Sequence, residues 1–259
     1  MTTARVTWWG HATVEIEDSG RRVLTDPVLR DRLAHLRRRR GPTPAPAPPD
    51  AVLISHLHAD HLDTVSLRQL PGEPTLVVPA GAAAFVRRAL GPRHARRCVE
   101  LAAGDSTDVG PVRVTAVPAA HPSGRAPWSR HRAAAVGYLV RGELTTWFAG
   151  DTGLFDGMST LGRVDLALIP VGGWGPSLGD GHLDPAGAAE AMRRANPREA
   201  IPIHYGTFWP VGCARVRPDL FTAPGRTFAR LAAQSAPTTL VRVLAPGDGV
   251  GVGRSRSAP

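Results

Sequence analysis

The amino-acid sequence predicts an α/β fold in which two β-sheets are covered by helices. Strand-like runs outnumber helix-like stretches, and the helices are interspersed among the strands. The chain has 259 residues, enough for one large domain with a sizeable core. It contains neither a repeat nor a linker that would divide it. We therefore expect a single domain over residues 1–252, followed by a disordered tail at residues 253–259.

The first elements are predicted to form a β-hairpin. Residues 5–17 alternate and are rich in Val, Thr and Trp, Ser19 and Gly20 suit a turn, and residues 22–25 continue the strand pattern. Residues 37–49 (RRRRGPTPAPAPP) are charged and rich in proline, so we expect no helix or strand there.

The remaining elements follow from apolar runs between turn signals. Strands are predicted at residues 51–55, 75–79, 112–118, 136–140, 145–149, 164–170, 200–203 and 239–244. Helices are predicted at residues 64–70, 80–90, 185–195 and 225–234. Asp63 and Asp184 are expected to cap two of these helices, and Pro185 suits a first helical position.

Composition limits the class of protein. No window approaches about 18 consecutive apolar residues, and the first ten residues contain no apolar signal segment. The two cysteines, Cys98 and Cys213, lie far apart, which argues against a disulfide framework and against a zinc–thiolate site. We expect a cytoplasmic protein without a membrane span.

The formal net charge is +9, and all 31 basic residues are arginine. Such a balance suits anionic substrates or nucleic acid. Because the chain is also rich in Ala, Gly and Pro, we interpret the charge as a whole as the bias of a high-GC genome. The basic run at residues 37–40 is interpreted as a solvated loop, with an anionic membrane or nucleic acid as the alternative.

Four ligand-type side chains follow a predicted buried strand in the stretch SHLHADHLD, residues 55–63. They are His56, His58, Asp60 and His61. In an extended chain His56 and His58 point the same way, and the other two can turn onto an adjacent position. Unpaired ionisable groups would be costly behind a buried strand. Imidazole and carboxylate together suit zinc, manganese or iron, so a metal site is predicted here.

Three more candidates come just after predicted strands far along the chain: His121, Asp151 and His204. Sites in α/β folds usually lie at the carboxyl ends of strands. We therefore expect these three side chains to join the cluster.

This order of ligands resembles the metallo-β-lactamase superfamily, and the resemblance covers nearly the whole chain. It implies a four-layer αββα sandwich with a two-metal site between the sheet edges. It also implies two groups of three ligands and one bridging carboxylate: His56, His58 and His121; Asp60, His61 and His204; and Asp151. Zinc is the expected metal, with manganese or iron as alternatives.

Flanking blocks narrow the resemblance to the N-acyl-phosphatidylethanolamine phospholipase D-like branch, with the ascorbate-6-phosphate lactonase group as a near relative. These blocks are residues 9–13, 25–28, 120–125, 130–132, 148–153, 182–185 and 203–208. The chain departs from that branch at residues 133–136, where relatives tend to carry a bulkier residue, and it lacks the long N-terminal extension of the eukaryotic phospholipases. The resemblance therefore implies the fold and the metal chemistry but not the lipid substrate.

Two cations close together would lower the pKa of a bridging water and supply hydroxide at neutral pH. Asp60 is the ligand expected to have a second, catalytic role in orienting the nucleophile or moving its proton. Asp26 is expected to accept a hydrogen bond from a ligand imidazole, with an ordinary Asp-Pro turn as the alternative.

Five side chains are candidates for substrate binding: His11, Arg125, Arg130, Arg132 and His182. The three arginines follow His121 in one loop, and guanidinium groups match phosphate oxygens. A solvated basic loop is the alternative. For His11 the alternative is a structural hydrogen bond.

The leading hypothesis is a binuclear metallohydrolase that acts on a phosphodiester or another anionic small molecule. The second is the same site acting on a lactone, thioester or amide. A class B β-lactamase is disfavoured because Asp151 stands where the main subclass would use cysteine. A nuclease and a non-catalytic metal-binding scaffold are further alternatives, and the resemblance allows a homo-oligomer.

Overall fold

A computed structural model describes residues 3–126 and 128–253. The first half of the chain contains, in order, β1 (Thr3–Gly10), β2 (Thr13–Asp18), β3 (Arg21–Thr25), β4 (Arg32–Leu33), β5 (Leu36–Arg38), β6 (Ala51–Leu53), α1 (Thr64–Gln69), β7 (Thr75–Pro79), α2 (Ala82–Leu90), α3 (Pro92–Ala95) and β8 (Cys98–Leu101).

The second half contains β9 (Ser106–Val109), β10 (Val112–Pro118), β11 (Val136–Arg141), β12 (Thr145–Phe148), a 3-10 helix (Asp156–Thr160), β13 (Leu166–Pro170), α4 (Pro185–Ala195), β14 (Glu199–Ile203), β15 (Phe208–Pro210), α5 (Pro218–Thr222), α6 (Pro224–Ser235), β16 (Leu240–Val241) and β17 (Gly249–Gly253).

Two seven-stranded sheets are built from most of these strands. The first has the order β17-β1-β2-β3-β6-β7-β8, and the second has the order β16-β14-β13-β12-β11-β10-β9. Each sheet has an antiparallel part and a parallel part; β3, β6, β7 and β8 run parallel in the first, and β12, β13, β14 and β16 in the second. Parallel strands end at the same edge of a sheet, so the loops after β6, β12 and β14 can converge.

The inner faces of the two sheets share one apolar core. Val6 and Val14 of the first sheet belong to the same buried cluster as Val114 and Phe148 of the second. Tyr138 also crosses between the sheets, because its hydroxyl donates to the Ile54 carbonyl at 2.8 Å. Burial of this apolar surface is what holds the sheets face to face.

Helices cover the outer faces. Leu67 of α1 and Val86 of α2 pack with Val52 of the first sheet. Met192 of α4 and Phe228 of α6 are fully buried beside the second sheet. The layers therefore run helix, sheet, sheet, helix, which confirms the predicted αββα sandwich.

A third, small sheet corrects one prediction. Residues 37–49 were expected to lack regular structure, but β5 lies between β4 and β15 and includes the first two arginines of the basic run. Arg38 is buried here, donates to the carbonyls of Trp9 and Val28 at 3.1 Å, and lies 4.8 Å from the centre of the Phe208 ring. Burial lowers the pKa of Arg38 to about 10. The rest of the segment, residues 39–49, has no helix or strand.

Other differences concern short strands. The single run predicted at residues 5–17 is two strands, because the chain turns at Gly10 and His11 with positive φ angles of 106° and 53°. Strands β8, β9 and β17 were not predicted from the sequence. Of the strand predicted at residues 239–244, only Leu240–Val241 forms a strand, β16. Gly253, which was expected in the tail, belongs to β17 and pairs with Thr3 of β1. The rest of the predicted tail, residues 254–259, lies outside the described residues.

Both helix caps are confirmed. The Asp184 carboxylate accepts from the Gly187 amide and precedes α4, which spans the predicted residues. The Asp63 carboxylate accepts from the Ser66 amide at the start of α1. Among the described helices, none has both the length and the apolar character needed to span a membrane.

Removing the Asp63 cap is expected to destabilise the protein more than removing the Asp184 cap. Asp63 is buried and also accepts two hydrogen bonds of 2.8 Å from Arg30. We expect Asp63→Ala to lower the free energy of unfolding by about 2–3 kcal/mol, against about 1 kcal/mol for the exposed cap in Asp184→Ala. Urea denaturation at equal m-values measures both, and equal losses would show that the Arg30 contact contributes nothing.

Candidate metal centre

The predicted ligands meet at the edge between the two sheets. The loop after β6 carries four of them, and the loops after β10, β12 and β14 carry His121, Asp151 and His204. The Val136 amide donates to the Ser55 carbonyl at 3.0 Å and joins the sheets at this point. Gly150 must be glycine because a Cβ there would lie 2.6 Å from the Ser55 Cβ, and its φ is 62°.

The first group of ligands consists of His56, His58 and His121. His58 Nδ1 lies 2.9 Å from His56 Nε2 and 3.1 Å from His121 Nε2. His56 Nδ1 lies 2.9 Å from the Ser55 hydroxyl, and His121 Nδ1 donates to the Gly181 carbonyl at 2.8 Å. These contacts fix the orientation of both rings. Burial lowers the pKa of His121 to about 4, so this imidazole is in the neutral form that binds metals.

The second group surrounds His61 and His204, whose Nε2 atoms lie 3.1 Å apart. The two oxygens of Asp151 lie 3.1 Å from His61 Nε2 and 3.2 Å from His204 Nε2. Asp60 Oδ2 is 3.6 Å from the first of these nitrogens and 3.9 Å from the second. Burial lowers the pKa of His204 to about 3, so its ring is neutral as well.

The donor atoms in this group fit a divalent cation. His204 Nδ1 donates to the Gly172 carbonyl at 3.0 Å, so Nε2 of the neutral ring presents a lone pair to the cluster. Asp151 Oδ1 faces that lone pair and is a buried oxygen without a hydrogen-bond partner. Burial would lower the pKa of His61, but the carboxylates of Asp151, Asp60 and Asp26 raise this pKa well above its ordinary value. The same negative field would attract a metal ion.

Both groups are compact enough to coordinate ions. One ligand atom from each of His56, His58 and His121 lies within 4.8 Å of the others, and the same holds for His11, Asp60, His61 and His204. The ligands predicted from the sequence are therefore brought together in two groups. Asp151 contacts His61 and His204 of the second group and also forms a cluster with His121 of the first.

Asp26 stands directly behind this centre. It is fully buried and accepts from His61 Nδ1 at 2.6 Å, from the Ser55 amide at 2.7 Å and from the Ser55 hydroxyl at 2.5 Å. Its φ of 33° also places it in a turn before Pro27. Asp26 therefore makes the predicted hydrogen bond to a ligand imidazole and also forms the Asp-Pro turn that was the alternative.

His11 lies under the centre and not at its mouth. Its ring is buried, with Nε2 2.9 Å from Asp60 Oδ2 and the ring centre 4.0 Å from that of His204. Its backbone carbonyl accepts from the His204 amide at 2.9 Å. These contacts match the structural alternative, because a residue that is 1% exposed, with its ring hydrogen-bonded to Asp60, is not available to substrate.

Arg125 is also used structurally. Its Nη1 donates to the carbonyls of Leu57 and Leu62, and its guanidinium lies 4.4 Å from the centre of the Phe85 ring. Nη1 therefore holds the loop that carries the first four ligands, and a role of Arg125 in substrate binding stays a prediction.

The other substrate-binding candidates differ in position. Arg130 and Arg132 are exposed, and within the described ranges neither has an ion-pair partner. His182 lies beside the centre, with Nε2 3.3 Å from Asp151 Oδ2. It lines a cavity of about 270 Å³ together with His204 and the glycine-rich segment at residues 173–179.

Some supporting groups were missed by the sequence analysis. Ser55 stands inside the ligand stretch, and its position before His56 could have suggested its role. The carbonyls of Gly172 and Gly181, which fix two imidazoles, have no side-chain signal that a sequence could reveal.

Comparison with known proteins identifies the family. Residues 21–205 match the model of the beta-lactamase superfamily domain. A UPF0173 metal-dependent hydrolase of Methanopyrus kandleri is 34% identical over 214 residues, which cover 80% of this chain and 86% of that protein. The chain belongs to the UPF0173 family of the metallo-β-lactamase superfamily. The narrower resemblance to the phospholipase D-like branch stays a prediction.

Two further similarities complete the comparison. An uncharacterized protein of Mycobacterium tuberculosis is 34% identical over 220 residues. The alignment covers 78% of this chain but only 59% of the length of that relative. The structure of Igni18, a metallo hydrolase from Ignicoccus hospitalis, superposes with a TM-score of 0.73 at 21% identity and covers 98% of this UPF0173 chain and 100% of that one. At that identity the structural match shows the fold alone.

Substitution of one ligand in each group is expected to remove different ions. We expect the wild-type UPF0173 chain to hold two ions after loading with Zn²⁺ or Mn²⁺ and dialysis, and His121→Ala and His204→Ala to hold about one each. Elemental analysis measures this. His94→Ala lies outside both groups and should keep the wild-type content. Two ions retained in both ligand variants would contradict the assignment.

Loss of the Asp26 charge is expected to weaken metal binding by about 10–100-fold, because a ligand imidazole loses the acceptor that orients it. The measurement is competition between Asp26→Asn and a chelator for the bound metal. Asp18→Asn is a matched control, since Asp18 is also buried but accepts from the amides of Glu143 and Leu144. An equal loss of affinity in both variants would attribute the effect to general destabilisation.

Proposed function

We propose that the protein is a metal-dependent hydrolase that uses two divalent ions. The observation that carries the proposal is the pair of ligand groups beside one buried carboxylate, Asp151, whose Oδ1 has no hydrogen-bond partner. When bound there, two ions would lower the pKa of a water molecule between them and supply hydroxide as the nucleophile. The name of the Methanopyrus relative supports the same class of reaction.

Asp60 is proposed to orient the nucleophile and to accept its proton. Its side chain is 13% exposed, against 2% for Asp151, so it is the more open of the two carboxylates. His11 Nε2 lies 2.9 Å from Asp60 Oδ2, the same oxygen that faces His61 and His204, and so fixes the carboxylate beside the ligands. In this proposal His11 positions Asp60 and does not contact substrate.

His182 is proposed to contact the substrate from the opposite side. Its side chain is 20% exposed and lines the 270 Å³ cavity with the glycine-rich segment. Its Nδ1 donates to the Gly179 carbonyl at 3.0 Å, which turns Nε2 toward Asp151. This orientation places one ring nitrogen at the mouth of the centre, where a leaving group would depart.

A phosphodiester or another anionic small molecule is the proposed substrate. The exposed Arg130 and Arg132 on the loop after His121 favour an anion. The burial of Arg38 argues against a continuous basic stripe for nucleic acid at residues 37–40.

Hydrolysis of a lactone, thioester or amide is the second candidate. The structural use of Arg125 favours it, because one of three predicted phosphate-binding groups is occupied by the carbonyls of Leu57 and Leu62. A carbonyl substrate needs fewer guanidinium contacts than a phosphodiester, and the same hydroxide would attack either.

Removing the Asp60 carboxylate is expected to lower kcat by at least about 100-fold, since a positioned proton acceptor contributes this much. The assay is hydrolysis of bis-p-nitrophenyl phosphate and of a lactone panel by the Zn²⁺- or Mn²⁺-loaded protein, with Asp60→Asn compared against the surface variant Asp108→Asn. Metal content is measured in parallel. Full activity in Asp60→Asn would reject its role, and absence of activity toward every substrate with either metal would reject a hydrolase of these classes.

A further inference from the structure

A largely apolar cavity lies beside the metal centre, behind the glycine-rich segment that follows β13. Its volume is about 300 Å³. Its apolar lining comes from the end of β13, the glycine-rich segment, α5 and the start of α6, and includes Val171, Leu178, Leu220, Ala223, Pro224 and Thr227. Because separate parts of the chain form its walls, the cavity is a feature of the fold and not of one loop.

The cavity adjoins the candidate metal centre through glycines. Gly172 lines it, and the Gly172 carbonyl holds His204 Nδ1 at 3.0 Å. Gly173 and Gly175 line both this cavity and the 270 Å³ cavity that contains His182 and His204. A single glycine-rich stretch of chain, interrupted by Trp174, therefore lies between the apolar cavity and the ligand His204.

Leu178 stands where the cavities meet. It lines both of them, and 38% of its surface is exposed. Its Cδ1 lies 3.2 Å from the position that a Cβ on Gly173 would take, so it folds over the glycine wall. Leu178 is therefore a side chain shared by the walls of both cavities.

The apolar lining favours an uncharged occupant, and the charges at the rim disfavour an anion. The only ionisable residues that line the cavity, within the described part of the chain, are Asp184 and Asp219. Asp184 caps α4, and Asp219 lies 3.6 Å from Arg217. With no basic residue among the lining side chains, an anionic group inside would be repelled, whereas an apolar group would bury its surface at no electrostatic cost.

We propose that this cavity binds an uncharged alkyl or aryl substituent of the substrate while the scissile group lies at the metal centre. The inference rests on the proposed function and narrows its substrate class to amphiphilic small molecules. Because a water-sized group takes up roughly 30 Å³, a cavity of this volume accepts about eight to ten non-hydrogen atoms.

Calorimetric titration of the zinc-loaded protein with methylphosphonate and hexylphosphonate tests the proposal. The two probes share one anionic head and differ only in the length of the alkyl chain. Burial of the longer chain is expected to give hexylphosphonate at least about 30-fold higher affinity in the wild type.

Two variants locate the effect on α6. Thr227→Phe places a ring in the cavity and is expected to reduce the affinity ratio to about threefold or less. Ala233→Phe adds the same ring at an exposed position of the same helix and should keep the wild-type ratio. If Thr227→Phe does not fold, the smaller change Ala223→Leu provides the filled cavity.

Equal affinity for the two phosphonates, or a ratio that survives filling of the cavity, would overturn the proposal. Turnover of 4-nitrophenyl phosphodiesters with the same alkyl groups separates this failure from failure of the proposed function. Hydrolysis at a rate independent of alkyl length would reject the cavity assignment alone. Binding that depends on alkyl length without any turnover would reject the hydrolase and leave the cavity assignment intact.

Discussion

The carboxylate of Asp26 is the interaction on which the arrangement of the centre depends most. It is fully buried and accepts hydrogen bonds from the Ser55 amide, the Ser55 hydroxyl and His61 Nδ1. The Asp26 amide in turn donates to the Leu53 carbonyl at 2.9 Å. One side chain therefore fixes the end of β6 against β3, aims the Ser55 hydroxyl at His56 and sets the orientation of His61. A buried network of this kind is stable only when every member is satisfied.

The centre is a dense cluster of buried ionisable groups whose charges depend on one another. Imidazole lone pairs and carboxylates lie within about 3 Å of each other in a region from which water is largely excluded, where unpaired charge is expensive. The protein offsets this by rigid anchoring from outside: Gly172 and Gly181 hold two rings, and Arg125 clamps the ligand loop. These outer contacts fix the imidazole rings and the ligand loop in one arrangement.

Arginine serves different purposes in this chain according to where it is buried. Arg38 fastens the small third sheet beneath Trp9 and Val28, and Arg125 fastens the ligand loop over Phe85. Arg130 and Arg132 stay exposed on the loop that follows His121. Because every basic residue is arginine, composition could not separate these roles, and only the burial of each guanidinium does so.

The sequence by itself determined the layers of the fold, the superfamily and the side chains that gather at the centre. Apolar runs, the Asp63 and Asp184 caps and the spacing in SHLHADHLD are local signals that tertiary contacts did not override. The glycine-rich β17 was missed because its pairing with β1 comes from distant residues and not from its own propensity. Tertiary structure decided three other features. Arg125 binds backbone carbonyls whereas Arg130 is exposed, His11 lies beside Asp60, and an apolar cavity forms at Leu178. They depend on which distant carbonyls, rings and glycines the chain brings within contact, and no local pattern encodes that.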